Sequence, residues 1–336
     1  MAELSRKIKI VNPFRITKLP ISLQLYLYPS IESRLLTAPL YVLYYIVQNF
    51  PLLYPKGEFI FKARGKETKI AFNVKNTQFE SLYAPQMKHG YEPEVMAILD
   101  TFAPQINSFW DIGSNWGYFS LYMFSLPLFK GEVDAFEPYP PSFNDLLSTV
   151  SQAGLGEQIK CHNLALSNHV GRSSMKFQGL LQSGFAFLDE DNQSEGLFHP
   201  RATVDVTTVD KLGLTPPSFI KIDAQYHEEK IIKGARETLS KYRPFIIFEN
   251  CLDFKRSSAT MGPLTLLKAL GYEFFFPCWK GAGRLVPTEA DKDNFVSNRL
   301  VLVPLEAGER FLYRDQINIL ACHKSNLEMM RKLFRE

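Results

Sequence analysis

Four carboxylates stand where short apolar runs give way to polar residues: Asp111 in Phe109-Trp110-Asp111-Ile112, Glu137 after Val133–Phe136, Asp223 after Phe219–Ile222 and Glu249 after Pro244–Phe248. Apolar runs of this length read as buried strands. In an open sheet of such strands, ligands sit beyond the carboxyl ends. Four acids at corresponding strand ends are hard to explain by packing, because a buried carboxylate needs a partner. Asp111 leads into Gly113-Ser114-Asn115-Trp116-Gly117, and the apolar stretch Tyr118–Phe124 then opens a helix. Strand, glycine turn and helix is the layout of a nucleotide-binding crossover. Two missing Cβ atoms let a ligand approach the backbone, and N–H groups at the turn and helix start favour a carboxylate or phosphate. Asp111 adds a negative charge, which suits a cationic ligand better than a diphosphate. Glu137 stands at the distance from the turn where an acid accepts both hydroxyls of a ribose. The plainer alternatives are a tight turn after a strand and a solvated acid before a proline turn.

The elements that must position these groups follow from the patterning. Phe109–Ile112 reads as a first strand, followed by a helix from about Trp116 to Phe124. Val133–Phe136 reads as a second strand, Ser142–Ala153 as a helix stopped by Gly154, and Ile159–Leu164 as a third strand. Ser173–Phe177 and Ala202–Val209 look like an antiparallel pair around the polar, acidic loop Asp189–Pro200. Phe219–Ile222 is a fourth strand, Glu228–Leu239 a helix and Pro244–Phe248 a fifth strand. Leu264–Leu270 is a helix ended by Gly271, with Glu273–Phe276 and Ile317–Cys322 as last strands. Such alternation predicts an α/β fold, a mostly parallel sheet with helices on both faces. Upstream, Pro93 suits the first turn of a helix whose Val95, Ile98, Leu99 and Phe102 share a face. Asn76–Gly90 is a loop, and alternation around Arg64-Gly65-Lys66 signals a hairpin. Residues 1–90 therefore read as a small helical and hairpin cap, and residues 91–336 as the main domain.

The bulk numbers exclude several classes. A 46% hydrophobic and 22% charged composition is that of a globular protein with a sizeable core. A net charge of +3 implies no general affinity for nucleic acid. Cys161, Cys251, Cys278 and Cys322 form no C-x-x-C pair, which argues against a metal cluster and for free thiols in a reducing compartment. His89, His162, His169, His199 and His323 show no ligand spacing and read as structural. The start is not a signal peptide: the basic residues Arg6, Lys7, Lys9, Arg15 and Lys18 are followed by a run broken at Pro20, Pro29, Glu32 and Arg34. Within Leu35–Tyr54 the unbroken apolar part is too short to span a bilayer, and a cytoplasmic location is expected. That stretch, with Tyr41, Tyr44 and Tyr45, is either a packed helical cap or a segment resting peripherally on a membrane face.

Together these residues carry a resemblance. Asp111-Ile112-Gly113-Ser114-Asn115-Trp116-Gly117, Ala135-Phe136-Glu137-Pro138, Asn163-Leu164-Ala165-Leu166-Ser167, Lys221-Ile222-Asp223, His227-Glu228, Lys233-Gly234-Ala235 and Phe248-Glu249 resemble the FkbM family of S-adenosylmethionine-dependent methyltransferases. The resemblance covers roughly Tyr91–Asn250. It implies a class I methyltransferase (Rossmann-like) fold: a seven-stranded, mostly parallel sheet whose last strand is antiparallel. It also implies S-adenosyl-L-methionine as cofactor and O-methylation of a hydroxyl on a sugar, glycolipid or similar small-molecule acceptor. By that resemblance Asp111, Gly113, Ser114, Asn115 and Gly117 hold the methionine end, Glu137 and Pro138 meet the ribose, and Asn163 and Ala165 lie near the adenine. Asp223 faces the methyl group and acceptor. A hydroxyl acceptor needs a base within hydrogen-bond reach. Asp223 is the first choice and His227 the second, because histidine titrates near neutral pH. Glu249 either binds the acceptor or orients a neighbour, and Lys221 reads as an ion-pair partner. One departure stands out: the family's Lys-Ile-Asp-Val-Glu-Gly-x-Glu has Gln225 and Tyr226 at its Glu-Gly positions, which alters the turn or the pocket wall. Two rival readings remain, a nicotinamide dehydrogenase, weakened because Asn115 takes the middle glycine place, and a non-catalytic methyltransferase-like binding domain.

Overall fold

Side chains along Ser108–Ile112 alternate between two apolar layers, with Phe109 in one core cluster and Trp110 and Ile112 in the other. A strand that is apolar on both faces must be covered on both. Seven strands make up the central part of this sheet. In chain order they are β1 (Ser108–Ile112), β2 (Glu132–Phe136), β3 (Ile159–His162), β4 (Phe219–Ile222), β5 (Phe245–Asn250), β6 (Tyr272–Lys280) and β7 (Ile317–His323). The computed structural model describes residues 4–19, 56–73, 75–84, 87–177, 186–188, 202–253, 257–281, 284–287, 296–313 and 316–335. The helix expected within Leu35–Tyr54 and the loop Asp189–Pro200 lie outside the described residues.

The spatial order is β3-β2-β1-β4-β5-β7-β6. Strands β1 to β5 run parallel, and β7 lies antiparallel between β5 and β6. The Rossmann-like sheet with its last strand reversed is therefore present. Helices α1 (Pro93–Phe102), α2 (Tyr118–Ser125), α3 (Pro140–Ala153) and α7 (Leu327–Leu333) supply residues to the core of one face. Helices α4 (Glu228–Lys233), α5 (Arg236–Tyr242) and α6 (Ser257–Ala269) supply the other. Among the described residues no helix is long and apolar enough to cross a membrane.

The structure departs from expectation in three places. The sheet has ten strands, because Arg299–Leu305 pairs with β6, Leu4–Lys7 pairs with Arg299–Leu305, and Leu285–Pro287 also pairs with β6. Pro304 obscures the Arg299–Leu305 strand in the sequence. It is tolerated because Leu4–Lys7 pairs only with residues 299–302, which leaves Pro304 on a free edge. Leu4–Lys7, expected in the cap, thus belongs to the main sheet. The helix expected over Glu228–Leu239 is two helices, α4 and α5, broken at Gly234. A Cβ on Gly234 would lie 2.0 Å from the carbonyl oxygen of Ser167, so the chain bends where it meets that backbone.

Two smaller sheets complete the fold. Phe14–Lys18, Lys56–Ala63 and Lys66–Asn73 form an antiparallel sheet. Its expected hairpin turns at Arg64-Gly65, both at positive φ (49° and 79°), the geometry of a primed two-residue turn. Phe14 and Phe59 pack against Trp116, with ring centroids 5.7 and 5.8 Å away. Gln152 of α3 exchanges hydrogen bonds with both backbone groups of Ala71. The fourth-strand partner of the second small sheet is Ala165–Leu166, beside the expected antiparallel pair Gly171–Phe177 and Ala202–Thr207.

Gly234→Ala is expected to lower stability by about 3 kcal/mol, the upper range for overpacking against backbone. Chemical denaturation measures it, with Gly308→Ala as a near-neutral control because nothing lies within 4 Å of that position.

Candidate active site

The carboxyl ends of β1, β2 and β4 open onto one cleft. Nine of the residues named from the sequence line it: Asp111, Gly113, Ser114, Asn115, Glu137, Pro138, Ala165, Asp223 and His227. The parallel register brings them together, since Asp111 pairs with Lys221 and Ile112 with both Phe136 and Ile222. Leu164, Leu166, Met175 and Ile231 add apolar wall.

The glycine turn does not work as an exposed amide nest. The N–H groups of Gly113 and Ser114 both donate to the carbonyl of Phe136 at 3.0 Å, and Gly117 N–H donates to Ser114 at 2.8 Å. Asn115, at φ 48°, donates its N–H to Glu137 Oε2 at 2.9 Å. Nor do the bare glycines clear space for a ligand. Gly113, at φ 81°, admits the carbonyl oxygen of Asp223, which would lie 1.8 Å from a Cβ. Gly117 caps α2 outside the cleft and faces Leu146 of α3. The turn is thus locked to the ends of β2 and β4 by the protein itself. Two polar atoms on the cleft wall keep unused capacity: Asp111 Oδ1 and Ser114 Oγ are buried without a hydrogen-bond partner, while Asp111 Oδ2 accepts from Ser120 at 2.7 Å.

A family model for the methyltransferase FkbM domain matches residues 111–274. Those residues form a methyltransferase FkbM domain. No curated protein matches the chain. Among solved structures it is similar to methyltransferase FkbM from Methylobacillus flagellatus KT, at 15% identity and TM-score 0.39, over 64% of this chain and 43% of that one. It is also similar to an O-methyltransferase from Bacillus cereus in complex with SAH, at 14% identity and TM-score 0.39, over 70% of this chain and 84% of that one. A third likeness is to precorrin-6y C5,15-methyltransferase from Geobacter metallireducens GS-15, at 14% identity and TM-score 0.35, over 69% and 87%.

The FkbM domain concentrates its charge around Lys221. This ammonium is 3% exposed, sits 3.1 Å from Asp223 Oδ2 and lies 4.8 Å over the ring of Phe119. Burial works against its charge, but the carboxylates of Asp223, Glu92 and Asp111 more than offset that and hold it above the ordinary lysine value. The acids around it are shifted upward, chiefly by burial: Asp111, Glu94 and Glu249 in direction, Glu137 and Glu228 to about 7, and Glu92 to about 8. Lys221 counters this for Glu92 and Asp111. Glu137 also accepts from Tyr139 N–H at 2.8 Å, so both its oxygens are held by backbone.

Some sequence assignments fall outside the cleft wall. Asn163 is exposed, and its amide donates to the carbonyls of Glu137 and Pro138, pinning that loop from behind. Glu249 is 2% exposed and accepts from Gln316 and, at 3.3 Å, from Gln225, which itself lines the cleft. His227 Nε2 sits 2.9 Å from Ser167 Oγ. At the departure from the family motif Gln225 and Tyr226 both adopt positive φ, 49° and 72°; Gln225 lines the cleft, and Tyr226 stays 47% exposed off the lining. Tyrosine keeps the backbone shape of a glycine at about 1–2 kcal/mol of strain.

Among the polar residues, Gln78, Ser81, Tyr91 and Glu92 were not assigned to the site from the sequence. Gln78, Ser81 and Tyr91 line the cleft from segments read only as a loop and a helix start. Glu92, at φ 45°, keeps Oε2 buried without a partner, while Oε1 accepts from Asn318 at 3.2 Å. An acid directly before a proline, itself a poor helical position, is the one signal that marked it.

The acid shifts have a stability consequence. A free glutamate titrates near 4.3, well below Glu92, Glu137 and Glu228 in the fold. Between about pH 4.5 and 8 the native chain holds more protons than the unfolded one, so stability is greatest below that window and falls as pH rises through it. Thermal melts are expected to show this fall, and Glu92→Gln to flatten it.

Proposed function

We propose that the domain transfers a methyl group from S-adenosylmethionine to a hydroxyl on a sugar, glycolipid or similar small acceptor. The observation that carries this reading is the cleft's charge. Asp111, Glu137 and Asp223 line it with Lys221 as their one lysine among the described residues. Buried carboxylates in that excess favour a cation. The unpartnered Asp111 Oδ1 and Ser114 Oγ fit an ammonium at the methionine end. Glu137, fixed by Asn115 and Tyr139, has lone pairs left for ribose hydroxyls. The apolar wall at Leu164, Ala165 and Met175 suits an adenine face.

When bound, S-adenosylmethionine supplies a methyl group already activated by its sulfonium. The protein's task is then to align an acceptor oxygen and relieve it of its proton. Asp223 is suited to the second role. Its Oδ2 is held by Lys221, whereas Oδ1 meets only a long 3.4 Å contact from Gln225 and can accept from a hydroxyl. Lys221 and Gln225 orient that carboxyl, and Glu249 orients Gln225.

Calorimetry with S-adenosylhomocysteine tests the cofactor assignment. Glu137→Ala is expected to weaken binding by about 1.5–3 kcal/mol, the range for bonds to a charged group. In the parent, affinity should fall as pH is lowered through about 7, because the ribose hydroxyls donate to the ionised form of Glu137. Unchanged affinity in the variant defeats the assignment.

Asp223→Asn is expected to keep the fold and most cofactor affinity while lowering turnover about a hundredfold or more, the usual loss for a general base. Turnover of labelled donor over glycan and glycolipid acceptors measures it. Parental turnover would move the base role to His227, and no turnover in the parent on any acceptor would favour a binding domain.

A further inference from the structure

The FkbM match begins at residue 111, yet Gln78 and Ser81 wall the same cleft from well upstream. A chain of polar side chains, three amides and one carboxylate, joins that segment to the glycine turn. Asn76 Nδ2 donates to Asn115 Oδ1 at 2.8 Å and to Asp145 Oδ2 at 3.0 Å. Asp145 Oδ1 accepts in turn from Asn73 at the end of the small sheet. Asn76 is 5% exposed, and its own Oδ1 caps the short helix Thr77–Leu82 by accepting from Gln78 N–H at 3.0 Å. The neighbouring residue of the turn is held from the same side. Trp116 donates its indole N–H to Gln78 at 3.2 Å and stacks on Phe79 with centroids 4.7 Å apart.

Asn115 carries the consequence. It adopts φ 48°, a left-handed region that asparagine enters more readily than most L-residues, and Asn76 fixes its side chain in that conformation. In that conformation its N–H donates to Glu137 Oε2 at 2.9 Å. We propose that Asn76, anchored on Asp145, is a positioning residue for cofactor binding: it holds Asn115 so that the turn presents Glu137 in its binding geometry. The inference rests on the reading of Glu137 as the ribose acceptor. A turn ordered before the ligand arrives spares binding the cost of ordering it.

The test compares two ways of loosening the small sheet. Asn76→Ala cuts the link to Asn115. Gln152→Ala cuts the exchange with Ala71, which fastens the same sheet to α3 without touching the turn. Calorimetry with S-adenosylhomocysteine and thermal melts are run on the full chain. Asn76→Ala should raise Kd about tenfold, the value of one net hydrogen bond. Gln152→Ala should lower Tm yet leave Kd within about twofold, well under one hydrogen bond. Combining Asn76→Ala with Asn115→Ala should weaken binding no more than the stronger single change, since the two act through one contact. Parental affinity in Asn76→Ala, or an equal loss in Gln152→Ala, overturns the inference alone. A parent that fails to bind S-adenosylhomocysteine overturns the functional reading and this inference together.

Discussion

A single buried ammonium, Lys221, sets the terms for the whole site. It lies in β4 directly beside Asp111 in β1, and both point to the face that carries Phe109 and Phe219. Its partners come from three elements: Asp111 from β1, Asp223 from the end of β4 and Glu92 from the start of α1. Removing either member of such a pair leaves an uncompensated buried charge, which typically costs about 3–5 kcal/mol. Register is therefore doubly specified here, by apolar alternation and by charge. A slip of one residue between β1 and β4 would turn Lys221 toward the opposite core. The cluster nevertheless holds more carboxylates than cations, and burial, with their mutual repulsion behind it, raises those acids toward neutrality. A cationic ligand matches it better than a phosphate does, which distinguishes this turn from the nucleotide-binding loops it outwardly shares.

The glycine turn illustrates how a sequence motif can be located correctly and understood wrongly. Its glycines and amides looked like a cradle for a ligand. In the structure Gly113 makes room for the carbonyl of Asp223, and the amides of Gly113, Ser114 and Asn115 are satisfied by the end of β2. The motif serves to lash three strand ends into a fixed arrangement. The side chains so fixed, Asp111, Ser114 and Glu137, line the cleft. A preorganised polar surface loses less to reorganisation on binding than a mobile one, so a turn stitched to its neighbours is a reasonable design for a small charged cofactor.

Much of this was legible because the parallel sheet converts linear spacing into shared location. An apolar run followed by an acid, repeated through the chain, places Asp111, Glu137 and Asp223 on one edge without any knowledge of loops. What escaped is what depends on tertiary approach. Gln78, Ser81 and Asn76 sit in a segment with no periodic pattern; the packing of Phe14, Phe59 and Phe79 on Trp116, with hydrogen bonds to Asn115 and Trp116, brings it to the cleft. The strand Arg299–Leu305 was hidden by Pro304, which a central strand would reject but an unpaired edge accepts. The break at Gly234 was invisible because its cause, the Ser167 carbonyl, is remote in sequence.

Backbone strain is distributed in the same way. Among the described residues, six other than glycine adopt positive φ, and four of them border the site: Glu92, Asn115, Gln225 and Tyr226. Asparagine tolerates this region through its short polar side chain, but glutamate, glutamine and tyrosine do so only when their surroundings over-determine them. Each has such surroundings on one side. Glu92 is tied through Asn318, and Gln225 spans Asp223 and Glu249. The Tyr226 conformation follows from its neighbour, because the chain must leave β4 with Asp223 toward Lys221 and return with His227 at the start of α4. The turn geometry is therefore dictated by the polar groups on either side of it, and a glycine is the least strained residue for that place rather than a requirement of it. Tyr226 lies off the cleft lining and places a half-exposed aromatic ring next to Gln225, which lines it, so the difference from glycine falls on what approaches from solvent.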